Sequence, residues 1–155
     1  MTDSNTFGVH RVSLDDQYEW LRMRRILWPQ GTDEEHRAEM KSLMTAYDTV
    51  VMVCPRPGGG LQGFVEASIQ KHAAGCTTSP VGYIEGWYVD EDVRGQGVGN
   101  ALIRAVEEWS YARDCRELAS DAVVGNAGGI AAHLRVGFEE TEHLVHFRKE
   151  LRPSQ

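Results

Sequence analysis

The stretch from Tyr83 to Asn100, YIEGWYVDEDVRGQGVGN, constrains the fold more than any other part of the chain. A strongly apolar strand pattern enters a turn where Gly95, Gly97 and Gly99 alternate with Gln96 and Val98. Arg94 stands directly before them, and a good helix pattern follows. Glycine lets a backbone turn sharply and lets a ligand approach the chain closely. A helix N-terminus adds unpaired N–H groups and the positive end of a dipole. Together these make a seat for phosphate. The rival reading is a plain surface turn; the apolar strand before the turn, the helix after it and the adjacent arginine favour the phosphate seat.

Spacing discriminates among phosphate loops. The dinucleotide fingerprint needs Gly or Ala where Asn100 stands, counted from Gly95. The triphosphate loop ends in Gly-Lys-Ser/Thr, and no lysine is present here. Both fail. What is left, Arg94-Gly95-Gln96-Gly97-Val98-Gly99, resembles the acetyl-CoA pyrophosphate loop of GNAT N-acetyltransferases, Arg/Gln-x-x-Gly-x-Gly/Ala.

With 155 residues the chain is read as one domain, residues 1–155, large enough for a real core. A net charge of -7 argues against nucleic acid as a partner and suits a cationic one. The start, MTDSNTFGVHRVSLDD, has no basic opening and no long apolar run, so no signal peptide is expected. No stretch approaches the length of a membrane span. Cys54, Cys76 and Cys115 are odd in number and lack metal-ligand spacing. They fit free thiols in a reducing cytoplasm, and no metal site is expected.

Read in order, Phe7 to Ser13 alternates as a first strand. Leu14-Asp15-Asp16 signals a helix start, and Tyr18, Leu21, Ile26 and Trp28 mark one face of a helix running toward Pro29. Thr32 and Glu35 form a capping-box-like start for a helix over Glu34 to Thr45, with Met40, Leu43 and Met44 inward. Thr49 to Cys54 and Leu61 to Ile69 read as a hairpin across the turn Pro55 to Gly60. Lys71 to Pro80 is a polar loop, and Val81 to Val89 is the central strand. A helix over Val98 to Arg113 carries Leu102, Ile103, Val106 and Trp109 at helical spacing. Arg116 to Ala122 is a strand, a helix starts at Asn126, and Gly137 ends it as a C′ glycine. Phe138 to Leu151 supplies one or two closing strands. The order β-α-α-β-β-β-α-β-α-β is that of a mixed α/β domain with its ligand seat where the central strand ends.

This order, the loop and the tail match the whole GNAT fold. Leu27-Trp28-Pro29, Cys76 to Pro80, Ile84-Glu85-Gly86, Cys115 to Asp121 and Gly137 to Glu142 together look like the aminoglycoside 6'-N-acetyltransferases. The resemblance implies acetyl-CoA as cosubstrate, with Trp87, Tyr88 and Val89 along its pantetheine arm. It also implies Arg94, Gly95, Gln96, Gly97, Val98, Gly99 and Asn100 around the pyrophosphate, and Asn126 at the cofactor from the far side of the cleft. Trp28, Glu85, Asp121 and Glu142 would form the aminoglycoside site, and His72 falls near a position often held by a substrate-contacting tyrosine. Near relatives commonly form dimers, so a homodimer is expected.

The chemistry of the residues points the same way. Glu85 interrupts an apolar strand, where a carboxylate is costly unless solvated or paired. With period two it shares a face with Tyr83 and Trp87. It is either a functional carboxylate or the partner of an arginine on a neighbouring strand. Asp121 closes the next strand, either as a site residue or as a turn or helix-start aspartate. Two carboxylates at one crevice suit a polyamine-like substrate, binding its ammonium groups and taking a proton from the reacting amine. A backbone N–H at Tyr88 or Val89 is the expected oxyanion donor. In many GNAT enzymes a tyrosine in the last strands protonates the leaving thiolate; Phe147 stands at that position here, beside His146, so no general acid is assigned. Two rivals stay open at this point: acetylation of another amine, such as a polyamine or peptide terminus, and a non-catalytic acyl-CoA-binding module.

Overall fold

A computed structural model describes residues 4–154. The chain divides into two compact units, Met1–Asp121 and Ala122–Gln155.

The first unit is a five-stranded sheet ordered β1-β2-β3-β4-β5. Its strands are β1 (His10–Arg11), β2 (Thr49–Pro55), β3 (Leu61–Gln70), β4 (Val81–Val89) and β5 (Leu118–Ala119). Neighbours from β1 to β4 run antiparallel, and β4 pairs β5 in parallel. The helices are α1 (Gln17–Leu27), α2 (Asp33–Thr45) and α3 (Val98–Tyr111). In β3 every residue from Leu61 to Ser68 is buried, so both faces of the sheet are covered. Phe64 packs into a cluster with Trp20, Leu21 and Met23 of α1 and Met40 of α2. Its neighbour Gly63 faces the other way, and a Cβ there would lie 3.0 Å from Leu102 and 3.3 Å from Val98 of α3. Successive strand residues point to opposite faces, so α1 and α2 cover one face and α3 the other. Trp109 is a core residue, as its helical spacing suggested, and Trp20 is core as well.

Thr32 caps α2 by accepting the Glu35 N–H at 3.1 Å, as the capping-box pattern predicts. Three other expectations are corrected in this unit. The first strand shrinks from Phe7–Ser13 to His10–Arg11, because Ser4–Phe7 forms a 3-10 turn and only two residues reach β2. Tyr18 and Ile26 do not face the core; they are exposed, and α1 buries Trp20, Leu21, Met23 and Arg24 instead. Burial of a charged residue is what shifts the face, since a hydrophobic pattern cannot count Arg24 as core. The strand expected over Arg116–Ala122 is Leu118–Ala119 alone, as β5 meets β4 at only two positions. Cys54 and Cys115 are buried free thiols, with burial pushing both up.

In the second unit, α4 (Ala127–Arg135) starts on Asn126, whose Oδ1 accepts the Gly129 N–H at 3.0 Å. Gly137, at φ +99°, ends it: its N–H bonds the Leu134 carbonyl, and the Phe138 N–H bonds His133. Residues 138–154 hold neither helix nor strand, which corrects the closing strands expected over Phe138–Leu151. An extended segment becomes a strand only when a neighbour takes its backbone groups, and among the described residues this segment has no ladder partner.

Candidate active site

The site begins where two strands part. β4 meets β5 only at Gly82–Leu118 and Tyr83–Ala119. From Ile84 to Val89, β4 is laddered to β3 alone among the described residues. On that side the register slips: Glu66 lies opposite Gly86 and Ala67 opposite Ile84, so Glu85 is the extra residue of a β-bulge. Bulges re-aim a side chain and interrupt pairing. Glu85 is accordingly exposed within an otherwise covered strand.

Two hydroxyls hold the two carboxylates. The Ser68 Oγ–H donates to Glu85 Oε1 at 2.8 Å, and Gln70 Nε2 donates to that Oγ at 2.9 Å. No ion pair includes Glu85 among the described residues, so the arginine-paired alternative does not hold. Asp121, two residues beyond β5, accepts a hydrogen bond from the Tyr83 hydroxyl. Burial, then the Asp121 hydrogen bond and the charges of Asp121 and Glu85, push the Tyr83 phenol well above its ordinary value. The phenol therefore stays protonated and keeps donating. Tyr83 thus links the end of β5 to the bulge on β4. The sequence placed Tyr83 on the face of Glu85 but did not show its partner. Ser68 carried no signal at all, since a serine in a buried strand reads as filler.

The glycine turn has the geometry its spacing implied. Gly95 and Gly97 have φ of +81° and +99°, a region that side chains rarely adopt. Gly97 is the N-cap of α3, and the Ala101 N–H makes the first helical bond to its carbonyl at 3.0 Å. The N–H groups of Val98, Gly99 and Asn100 precede that bond. The Val98 side chain is core, so only its backbone can serve a ligand. A Cβ on Gly99 would lie 3.0 Å from the Trp87 ring. Arg94 Nε donates to the Val89 carbonyl at 2.9 Å, and its guanidinium lies 5.7 Å from the Tyr88 ring centroid, fastening the turn to the end of β4.

A network centred on the buried Asp90, which the sequence did not reveal, sets the strand's exit. Asp90 takes Arg22 Nη2 at 2.9 Å and Arg56 Nη2 at 2.8 Å. Burial opposes its charge, but the hydrogen bonds from Arg22, Arg56 and Tyr88 hold its carboxyl below the usual carboxylate range. Arg22 also holds Glu19 low, and Glu19 accepts the Leu61 N–H at 3.0 Å. Helix α1, the β2–β3 turn and the exit of β4 are thereby tied together.

Trp28, just past α1, is half-buried and packs over Gly86, beside the bulge; a Cβ at Gly86 would overlap Trp28 Cη2 and Cζ2. Phe64 meets its edge with ring centroids 6.2 Å apart. His72 is exposed in the β3–β4 loop, and among the described residues no hydrogen bond or ion pair joins it to Glu85 or Asp121. Asn126 and Glu142 belong to the second unit, Asn126 as the helix cap and Glu142 as an exposed residue. Phe147 is 93% exposed. No described helix is long and apolar enough to cross a membrane.

Strands that part beside a glycine turn, with the turn opening a helix, set the end of β4 next to helix N–H groups that suit a phosphate-bearing ligand. A family model described as acetyltransferase (GNAT) family matches residues 20–138. The aminoglycoside N(6')-acetyltransferase type 1 of Klebsiella aerogenes is 40% identical over 146 residues, covering 92% of this chain and 96% of its own. That of Stenotrophomonas maltophilia is 41% identical over 147 residues, covering 94% and 95%. Among solved structures, AAC(6')-Iy in complex with the bisubstrate analog CoA-S-monomethyl-acetylneamine superposes with a TM-score of 0.87 at 32% identity, over 93% of this chain and 98% of that one. AAC(6')-IG from Acinetobacter haemolyticus, without ligand, gives 0.88 at 34% identity, over 94% and 99%. The chain belongs to the acetyltransferase (GNAT) family, and within it to the aminoglycoside 6'-N-acetyltransferases. It is an acyltransferase that uses acetyl-CoA.

Proposed function

We propose that the chain transfers the acetyl group of acetyl-CoA to the 6'-amine of aminoglycoside antibiotics and so confers resistance. The observation that carries this reading is the pair of carboxylates at the parting strands, Glu85 and Asp121. Each accepts a hydrogen bond from a hydroxyl, which fixes the carboxylate where a cationic sugar would bind. An ammonium group binds there. Once it passes a proton to Glu85 or Asp121, directly or through water, the neutral amine attacks the thioester carbonyl. A backbone N–H of β4 at Tyr88 or Val89 stabilises the oxyanion. The C–S bond then breaks as the nitrogen gives up its second proton to water, leaving a neutral amide and a thiolate that takes up a proton. The thiolate's proton donor is left unassigned, since Phe147 has none to give.

The turn from Arg94 through Gly95, Gln96, Gly97, Val98 and Gly99 to Asn100 cradles the pyrophosphate with its backbone N–H groups. Trp87, Tyr88 and Val89 run along the pantetheine arm. Trp28 walls the aminoglycoside site, to which His72 contributes. The chain works as one domain over residues 1–155, a reading supported by a family match that runs across Asp121. It acts in the cytoplasm as a homodimer, without nucleic acid, membrane or metal. The test is Glu85→Gln and Asp121→Asn, each made in the full chain. Each variant keeps its urea midpoint and loses about tenfold to a hundredfold in kcat/KM for kanamycin, the range for one charge-assisted hydrogen bond. Full activity in both variants overturns the site assignment.

A further inference from the structure

Behind Trp28 lies a buried polar cluster that acetyl transfer does not use. Arg24 is 1% exposed, Glu66 3% and His36 3%. Arg24 pairs with Glu66 through one guanidinium nitrogen and with Glu39 through another. The Trp20 indole N–H donates to the same Glu66 oxygen at 2.9 Å. The third guanidinium nitrogen, Nε, faces His36 Nδ1 at 3.2 Å. Arginine can only donate, so His36 Nδ1 accepts and its proton sits on Nε2. That Nε2–H is aimed at the backbone carbonyl of Trp28 at 3.1 Å. The Arg24 guanidinium also lies 4.6 Å from the Trp28 ring centroid, a cation–π contact.

Trp28, which follows the end of α1 and packs on Phe64 and Gly86, is thus also held by its ring and by its carbonyl from one cluster. Glu66, the root of the cluster, sits opposite Gly86 where the β-bulge presents Glu85. We infer that His36 and Arg24, anchored on Glu66, are positioning residues that fix Trp28 over the bulge and thereby set affinity for the acceptor sugar. This rests on the reading of Trp28 as the acceptor wall.

The experiment compares Trp28→Ala, His36→Leu, His36→Gln and Arg24→Lys in the full chain, by steady-state thiol release with kanamycin and acetyl-CoA varied separately. His36→Leu removes the side-chain donor to the Trp28 carbonyl, leaving the Gly31 N–H at 3.3 Å, and His36→Gln restores a side-chain N–H near that place. The expected result for His36→Leu is a rise of about tenfold in KM for kanamycin, the worth of one hydrogen bond, with KM for acetyl-CoA within about twofold of the parent. His36→Gln recovers most of the loss. A residue that merely supported the fold would move both KM values and gain nothing from glutamine. Arg24→Lys keeps the charge against Glu66 but loses the Nε donor. It shows the same one-sided rise, and it decides the matter if His36→Leu does not fold. If Trp28→Ala raises KM for kanamycin while folded His36→Leu and Arg24→Lys do not, the positioning role is overturned and the wall stands. An unchanged KM in Trp28→Ala overturns both.

Discussion

At the scale of single residues, the two candidate carboxylates differ in how they could be recognised. Glu85 announced itself as a charge inside the apolar run Tyr83-Ile84-Glu85-Gly86-Trp87, and the bulge explains how it escapes burial. Asp121 had no such signal, because an aspartate after a strand is ordinary; its meaning comes from the Tyr83 hydroxyl, a partner 38 positions earlier. That contact predicts that Tyr83→Phe raises KM for kanamycin about tenfold by releasing Asp121, a hydrogen bond to a charged group being worth about 1.5 to 3 kcal/mol. Because the phenol is pushed far up, removing it leaves the pH profile of kcat below pH 9 with its shape unchanged. Steady-state kinetics from pH 6 to 9 check both statements, and a lost ionisation in that range would contradict the assignment. Arg24 shows the limit of residue-level reading. Its burial depends on Glu66, Glu39 and His36, which come from two other elements.

At the scale of elements, β2, β3 and β4 were legible because continuous apolar runs, bounded by Pro55–Gly60 and Lys71–Pro80, leave little choice. Helix α3 and its glycine start were equally plain. β1, β5 and the tail were not, since a strand's length depends on what lies beside it rather than on its own alternation. Two glycines give element-level predictions. Gly97→Ala forces a side chain to φ +99° at the start of α3, which costs about 1 to 2 kcal/mol and raises KM for acetyl-CoA more than KM for kanamycin. Gly86→Ala drives a methyl into the Trp28 ring and lowers stability by about 1 to 3 kcal/mol, read from the urea midpoint.

At the scale of the whole molecule, the Asp90 network joins α1, the β2–β3 turn and the strand exit into one frame. Asp90 and Glu19 are both held low, so the folded state binds fewer protons than the unfolded one in acid. Their contribution is complete above the ordinary carboxylate range and is lost as pH falls through their lowered folded values. The part of the urea midpoint that these two groups supply is therefore level from pH 7 to 5 and drops below about pH 4. Asp90→Asn lowers stability at pH 7 by about 2 kcal/mol, read from the urea midpoint, and flattens the acid drop. The net charge of -7 belongs at this scale too: it suits a cationic substrate, though the charges we propose bind it are the two held at the parting strands.

The most direct test of the central claim is thiol release from acetyl-CoA, measured side by side with kanamycin, an analogue bearing a hydroxyl in place of the 6'-amine, and spermidine. The account predicts release with kanamycin and none with the 6'-hydroxy analogue. Release with spermidine alone, or equal release with both sugars, would contradict the assignment of the 6'-amine as the acceptor.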